Sequence, residues 1–348
     1  MSTTSAAPAT TNGRPPRDER VAASLRTGRG ILLPGRILLL ILVAVVVLIA
    51  GVTGDNPLKY SLIIGTIYAI AILGNNAITG TLGEINLAAG AFMAIGAYTA
   101  SYTLSRGWGL ATVVLAVIVV SLLLGLLIAI PTVRLSGLFT ALATFALAYA
   151  IPDLALALSS ITGGDAGTAI TPPIIGDTLI DGSATELLIA VVVLFVVLAA
   201  VNVWLFSRSI GSRLLTVGEA PHAARSFGLR PLLLKIGVWT WAALLGGIAG
   251  LCYALAVGFL NPTVFTVFLS ISLLAGGLVG GPRSVVGAWL GGLLVGTLPP
   301  NIQSVVPASS TGIVFGVVLL AALLAGSGGL GQLLERTTIA PLMRRKGR

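Results

Sequence analysis

The chain has 348 residues, of which 56% are hydrophobic and only 9% are charged, with a formal net charge of +9. A soluble domain has about 25% charged residues, so this composition predicts an integral membrane protein and excludes a disordered chain. A single cysteine, Cys252, excludes an intramolecular disulfide, and a single histidine, His222, excludes an ordinary His/Cys metal site.

Both ends of the chain are predicted to be basic cytoplasmic tails. Residues 1–35 are polar, rich in Ala, Ser, Thr and Pro, and carry five arginines, which favours disorder. Residues 327–348 are also basic. The stretch between them, 36–326, is predicted to form one transmembrane domain.

Hydrophobic segments of spanning length fill that domain. A bilayer core about 30 Å thick needs about 20 apolar residues per helix. Ten segments qualify, and eight to ten spans are expected because some Gly-rich connections are compatible with re-entrant or broken helices. The segments run near 36–54, 59–79, 85–104, 109–130, 136–158, 186–206, 232–257, 264–280, 284–300 and 312–326.

The distribution of basic residues predicts the orientation. If the N-terminus is cytoplasmic, ten spans also place the C-terminus in the cytoplasm. Every Lys and Arg except Lys59 and Arg106 then lies on the inner side, as the positive-inside rule requires. Membrane topology thus accounts for the positive charge, and no nucleic-acid partner is expected.

Ten helices divide into five plus five, which would place the halves in opposite orientations, as in the inverted repeats of transporters. Ile85–Gly90 weakly echoes Ile271–Gly276. Glycine is abundant, with 44 residues, and small residues allow close helix packing in lipid. Two GxxxG pairs are formed by Gly287 with Gly291 and by Gly292 with Gly296.

A polar cluster between Asn75 and Asn86 is the first candidate site. It contains three glycines, which predict a broken helix near the membrane, and one ionisable residue, Glu84. One interpretation is the lining of a polar substrate path; the other is an ordinary cytoplasmic turn with Glu84 in water. The candidate path residues are Asn75, Asn76, Glu84, Asn86, and, on the fifth segment, Thr140 and Thr144.

Two loops are long enough to meet partners. The loop 159–185 is predicted to be extracytoplasmic, as a partner contact or as a solvated connector. The largest cytoplasmic loop, 207–235, is called the coupling loop below. Within it, Pro221 fits a first helical turn and Gly228 a C′ position, which predicts a two-turn helix, with Phe227 as an apolar anchor. The alternative is an interfacial helix that lies on the membrane.

The sequence lacks the phosphate-binding loop of ATPases. None of the three lysines follows a glycine, so no G-x-x-x-x-G-K-[ST] motif is present. His222 lies in the coupling loop, so an intramembrane Ser–His pair is not available. These features predict that the chain is not an enzyme.

The coupling loop resembles a known docking element. Ala223-Ala224-x-x-x-Gly228 is similar to the EAA-type motif of ABC importer permeases, although His222 replaces the usual acidic residue. Four further segments resemble the branched-chain amino acid ABC transporter permeases, of the type that pairs with a second, distinct permease. These segments are Gly83–Tyr98 (GEINLAAGAFMAIGAY), Arg134–Thr144 (RLSGLFTALAT), Thr162–Gly167 (TGGDAG) and Leu278–Ala288 (LVGGPRSVVGA).

The resemblance implies an all-α ABC importer permease, a multi-pass protein of the bacterial plasma membrane that carries branched-chain amino acids. Its implied partners are two ABC ATPases, a second permease forming a heterodimer, and an extracytoplasmic binding protein. No cofactor is expected on this chain, since ATP and Mg²⁺ would bind the ATPases. The implied ATPase-coupling residues are Glu219, Ala220, His222, Ala223, Ala224, Phe227 and Gly228.

Other transport functions stay open. Glu84 and Asn86 stand where small or uncharged residues are more usual in the family, and related permeases carry urea, short amides, nucleosides or sugars. A stand-alone secondary transporter or channel would need its own coupling-ion site, usually with buried carboxylates. Only Glu84 and Asp153 are placed for such a site.

Overall fold

The computed structural model describes residues 32–135, 137–170, 174–175, 178–179, 185–207, 209–303 and 308–325. Most of the two predicted tails and part of the loop 159–185 lie outside these residues. The helices are α1 (Leu32–Thr53), α2 (Asn56–Leu82), α3 (Ala89–Ser105), α4 (Leu110–Thr132), α5 (Leu138–Ala157), α6 (Ser159–Thr162), α7 (Thr185–Ser207), α8 (Ser209–Glu219), α9 (Pro221–Ser226), α10 (Pro231–Val257), α11 (Val267–Gly280), α12 (Val285–Gln303) and α13 (Ala308–Ala325).

The chain is a largely helical, polytopic membrane protein. Each of the ten predicted segments falls on a helix. Within the described residues, six helices are long and apolar enough to cross a membrane by length and composition: α2, α4, α5, α7, α10, and α11 with the short turn before it. Shorter apolar stretches occupy α1 and α12, and ten spans stay a prediction.

Helices α2 and α10 form the centre of the fold. The most apolar window of α2 is 89% buried, whereas the corresponding window of α4 is 28% buried. Alanine and glycine recur along α2, which lets neighbouring backbones approach it closely. The larger side chains of α4, such as Leu123 and Leu127, point outward. Helix α2 thus contacts α7, α10, α11 and α12, while α4 presents an apolar face to the surroundings.

Both predicted GxxxG pairs lie at helix contacts, but they face different partners. The first pair on α12 faces α11, and the second pair faces α2. A Cβ added at any of these four glycines would overlap the opposing backbone, so close packing explains them. The contacts join Gly287 to Gly280, Gly291 to Gly276, Gly292 to Ala69, and Gly296 to Gly65.

Two stretches of the chain share one local pattern. Helices α2 and α10 have 27 residues each, and their C-caps, Gly83 and Gly258, have left-handed φ values of 68° and 70°. A segment outside the α-helices and then a shorter α-helix, α3 or α11, follow each of them. Helix α2 packs on α12, and α10 packs on α4. The weak sequence echo of Ile85–Gly90 in Ile271–Gly276 does not join matching positions of this pattern, because the first stretch mostly precedes α3 whereas the second lies within α11.

The structure also contains short strands, although the predicted class is all-α. β1 (Thr168–Ala169) pairs antiparallel with β4 (Phe259–Leu260), and β2 (Ile174–Ile175) pairs with β3 (Thr178–Leu179). The β1–β4 pair fastens the loop after α6 to the C-terminal end of α10. The backbone hydrogen bond from Ile170 N to Gly258 O, at 2.8 Å, extends this contact.

Replacing Gly167 with alanine is expected to loosen the β1–β4 pair. Gly167 has φ 70° and ψ −178°, a region that is essentially restricted to glycine and costs other residues about 1–3 kcal/mol. An added Cβ would also lie 2.5 Å from Leu260 O. Limited proteolysis of the purified protein should therefore cut the 159–185 loop faster in the variant. Gly109→Ala is the control, because Gly109 has φ −64° and no atom within 4 Å of an added Cβ. Equal cutting rates for all three proteins would contradict the prediction.

Candidate functional site

The predicted helix break lies later in the chain than the glycines suggested. Gly74 and Gly80 are inside α2, and the helix ends only at Leu82, before the left-handed Gly83. Residues 83–88 are then non-helical, and α3 begins at Ala89. Asn75 and Asn76 are therefore helical and buried in α2, which corrects the prediction of broken helix over the whole cluster.

Glu84 is held inside the protein by two residues of α10. Its carboxylate Oε1 lies 2.5 Å from Lys235 Nζ, and its Oε2 accepts a 3.3 Å hydrogen bond from Trp239 Nε1. Only 7% of Glu84 is exposed, and Trp239 is fully buried. The interpretation of Glu84 as a residue of a water-exposed turn is therefore wrong. Its charge is compensated by a lysine that sequence analysis placed in the coupling loop.

Asn86 and Thr144 meet at the same segment. Asn86 is fully buried, and its Oδ1 accepts a hydrogen bond from Ala88 N at 2.9 Å. Leu87 N donates to Thr144 Oγ1 of α5 at 3.1 Å. Thr140 lies one turn earlier on α5 and is also fully buried. The structure thus brings together Glu84, Asn86 and Thr144 from the predicted path residues.

The asparagine amides near this segment have unused hydrogen-bonding capacity. Both side-chain polar atoms of Asn75, and the Nδ2 atoms of Asn76 and Asn86, are buried without a hydrogen-bond partner in the described part of the chain. The hydroxyl of Thr140 is likewise buried without a hydrogen-bond partner among the described residues. Because a buried polar group without a partner is costly, these groups are suited to bind water or a polar solute.

An open groove of about 240 Å³ runs between α4 and α5. Thr132 and Thr144 supply its polar groups, and the rest of its lining is apolar. Thr144 therefore belongs both to this groove and to the contact with residues 83–88. Of the predicted path residues, Asn75, Asn76, Glu84, Asn86 and Thr140 do not line the groove.

Helix α8 in the coupling loop was missed by the sequence analysis. It turns Gly211, Leu214 and Val217 into the protein, and this spacing of three residues is a helical signal that the sequence already carried. Gly218 packs on the end of α2, where an added Cβ would lie 2.8 Å from the carbonyl oxygens of Thr81 and Leu82. The coupling loop is thus seated on the C-terminal end of α2.

The predicted coupling helix is present as α9. It begins at Pro221. Gly228 has φ 73° and its N donates to Arg225 O, while Leu229 N donates to Ala224 O; these two bonds form the predicted glycine C-cap. The residues of the predicted set with exposed side chains or backbone are Glu219, Ala220, His222, Ala223, Phe227 and Gly228.

Ala224 differs from the other predicted coupling residues. It is fully buried against its own chain, whereas Phe227 is 78% exposed. Ala224 therefore seats α9 on the protein, and Phe227 stands out from it. The sequence analysis named Phe227 as an apolar anchor but did not predict that Ala224 is buried.

Several of the resembling segments converge at the C-terminal end of α2. Residues 83–88 contact α5 through Thr144 and α10 through Lys235. Arg283, from the connection between α11 and α12, donates from Nε to Gly80 O at 2.9 Å. This convergence of Gly80, Glu84, Thr144, Gly218 and Arg283 is called the α2 junction below. The remaining resembling segment, Thr162–Gly167, lies instead beside the β1–β4 pair.

Comparison with known proteins identifies relatives. The family described as "Branched-chain amino acid transport system / permease component" matches residues 58–323. Over 253 residues the chain is 30% identical to the high-affinity branched-chain amino acid transport system permease protein LivM of Salmonella typhimurium (strain LT2) and to that of Escherichia coli (strain K12). Each alignment covers 66% of this chain and 60% of the relative. The chain thus spans less than two thirds of the length of these curated relatives. No solved structure matches it.

Proposed function

The chain belongs to the family of branched-chain amino acid transport permeases, and from this membership we propose that it is the membrane-spanning permease subunit of an ATP-driven importer. It receives a branched-chain amino acid, or a similar small polar solute, from an extracytoplasmic binding protein. It resides in the bacterial plasma membrane. The observation that carries the proposal is the exposed coupling helix α9, seated on the protein by Ala224.

Exposed Phe227 supports docking to a separate ATPase. An aromatic side chain that is 78% exposed in the coupling loop is suited to fill a pocket on a partner, since buried aromatic anchors dominate many interfaces. Two ATPases would bind ATP and Mg²⁺, and a second permease would complete the path. ATP hydrolysis would then occur on those partner chains.

The proposed architecture has ten spans in two inverted halves, with both termini in the cytoplasm. The matching lengths and glycine caps of α2 and α10 support this arrangement. An inverted repeat would place residues 83–88 near one membrane face and the segment after Gly258 near the other. The bonds at the α2 junction would then lie on the side of the coupling loop.

The proposed path uses the buried amides and hydroxyls near residues 83–88. Asn75, Asn76, Asn86, Thr140 and Thr144 would contact the solute as the helices rearrange. Such neutral groups can form hydrogen bonds with amino acids. They can also bind the amides, nucleosides or sugars carried by related permeases, which is the alternative substrate class. A stand-alone transporter is disfavoured, because the carboxylate of Glu84 is engaged with Lys235 and Asp153, on α5, is not buried.

Phe227→Ala tests the proposal in cells that carry the candidate ATPases, second permease and binding protein. Copurification of the ATPases with the permease is expected to fall about tenfold, since an aromatic interface anchor is worth more than 1 kcal/mol. Uptake of radiolabelled leucine should fall with it. Phe227→Leu keeps an apolar anchor and should retain most binding.

The placement of Ala224 decides which charge substitution is informative. Ala224→Glu would force a charge into a fully buried position and disrupt the seat of α9 on its own chain. Ala223→Glu places the charge on the exposed side of the same helix and leaves that seat intact. Undiminished ATPase copurification in both Phe227→Ala and Ala223→Glu would refute the docking role of α9.

A further inference from the structure

We propose that the Glu84–Lys235 pair is the positioning link through which the coupling loop sets the conformation of residues 83–88. The inference rests on the proposed importer function and deepens it. It assigns Glu84 to transmission rather than to solute binding. Four features carry it: the location of Lys235, the bonds made by residues 83–88, the conformation of Gly83, and the burial of the two charges.

Lys235 lies near the start of α10, the helix through which a movement of α9 would reach the rest of the transmembrane domain. Only the short stretch from Phe227 to Arg230 separates α9 from α10, which begins at Pro231. The start of this stretch is fixed by the two C-cap hydrogen bonds that Gly228 N and Leu229 N donate. Lys235 and Trp239 are four residues apart and therefore share one face of α10. A displacement of α9 would thus reach both groups that hold the Glu84 carboxylate.

The receiving segment is attached to two further helices. Leu87 N donates to Thr144 Oγ1 of α5, and Gly90 N, at the start of α3, donates to Ser270 Oγ of α11 at 3.0 Å. No intrahelical ladder stabilises residues 83–88, so these side-chain bonds determine their position. A shift of Glu84 would therefore alter contacts with α5 and α11 together.

The last turn of α2 is held by Arg283 and by α8 of the coupling loop rather than by α9, so a displacement of α9 would act on the chain from Gly83 onward. Arg283 Nε donates to Gly80 O, and Gly218 packs on the carbonyls of Thr81 and Leu82. Beyond these contacts Gly83 takes its left-handed conformation, with φ 68° and open space around it. The chain after Gly83 can thus rearrange while α2 remains in place.

Because both charges are largely buried, the Glu84–Lys235 pair is expected to hold residues 83–88 to α10. The side chain of Glu84 is 8% exposed and that of Lys235 is 15% exposed. Separating two such charges, or removing one of them, leaves the other without compensation in a poorly solvated site. The two elements are therefore expected to move as one. A purely apolar contact would permit them to slide past each other.

Glu84→Gln tests the link in the assembled transporter, reconstituted with its candidate ATPases, second permease and binding protein. Glutamine keeps the size of the side chain and can still accept a hydrogen bond, but it removes the charge. We expect ATPase copurification and ATP hydrolysis to persist while leucine uptake per ATP hydrolysed falls about tenfold, a size typical of coupling between sites. Lys235→Met should give the same loss. The exchanged pair Glu84→Lys with Lys235→Glu should recover part of it.

Lys59→Met is the matched control. Lys59 lies at the N-terminal end of α2 and donates to Thr185 Oγ1 at 3.1 Å, so its loss removes a lysine hydrogen bond without touching the α2 junction. It should leave uptake per ATP unchanged. Size-exclusion profiles of every variant report assembly, which a merely structural role would impair in parallel with both activities.

The outcomes distinguish a failure of the importer function from a failure of the Glu84–Lys235 link. A wild-type complex without ATP-dependent uptake would refute the importer function and the link that rests on it. Active wild type together with unchanged uptake per ATP in Glu84→Gln would overturn the link alone. A Glu84→Gln chain that fails to assemble would also overturn it, because the pair would then be a folding contact.

Discussion

Trp289→Ala is expected to lower the free energy of unfolding by about 3 kcal/mol, at the lower end of the range for truncating a large buried side chain. Trp289 is fully buried on α12, its ring centroid lies 4.6 Å from that of Phe195 on α7, and its Nε1 donates to Thr66 Oγ1 on α2 at 3.2 Å. One side chain thus joins three helices. The lower end applies because helices in lipid gain little from leaving water, so lost packing dominates the cost.

The indole hydrogen bond contributes less than the ring. Without it, Thr66 Oγ1 still donates to Leu62 O at 2.8 Å and is not left unpaired. Trp289→Phe should therefore cost only about 1 kcal/mol. Trp108→Ala is the control, since Trp108 is 49% exposed. Dodecyl sulfate titration of the detergent-purified proteins measures the unfolding midpoint of each of the three variants. Equal midpoints for Trp289→Ala and Trp108→Ala would contradict this account.

The hydrophobic segments were predictable because each helix carries its own signal. A run of about 20 apolar residues is a local property, so α4, α7 and α10 were placed within a few residues of their observed bounds. Helix α9 was equally local, with Pro221 at its start and Gly228 after its end. Such features depend on neighbours in sequence, which a single chain displays fully.

The partners of buried polar groups were not predictable in the same way. Glu84 pairs with Lys235, 151 positions along the chain, and no local pattern connects them. The positive-inside rule counted Lys235 as a loop charge, although it lies within α10 and faces inward to Glu84. Leu87 N likewise donates to the side chain of Thr144, 57 positions along the chain. These contacts follow from helix packing, which hydropathy alone does not determine.

Gly250→Ala is expected to destabilise the crossing of α3 and α10 by about 1–3 kcal/mol, the usual cost of overpacking a close-packed contact. An added Cβ at Gly250 would overlap Met93 O and come within 2.8 Å of Ala97 N. Both atoms belong to the α3 backbone, so no side-chain rotation can make room. Gly96 opposes Gly247 in the same crossing, and the two helices would have to separate.

Gly237→Ala provides the contrast on the same helix. Nothing lies within 4 Å of a Cβ at Gly237, and alanine favours a helix interior over glycine by about 1 kcal/mol, so this variant should be neutral or slightly more stable. Unfolding midpoints in dodecyl sulfate should order the proteins as Gly237→Ala, wild type and Gly250→Ala, from most to least stable. If α10 transmits movement from the coupling loop, loosening its contact with α3 should also lower leucine uptake in the assembled transporter. A Gly250→Ala protein as stable and active as Gly237→Ala would show that the crossing yields without cost.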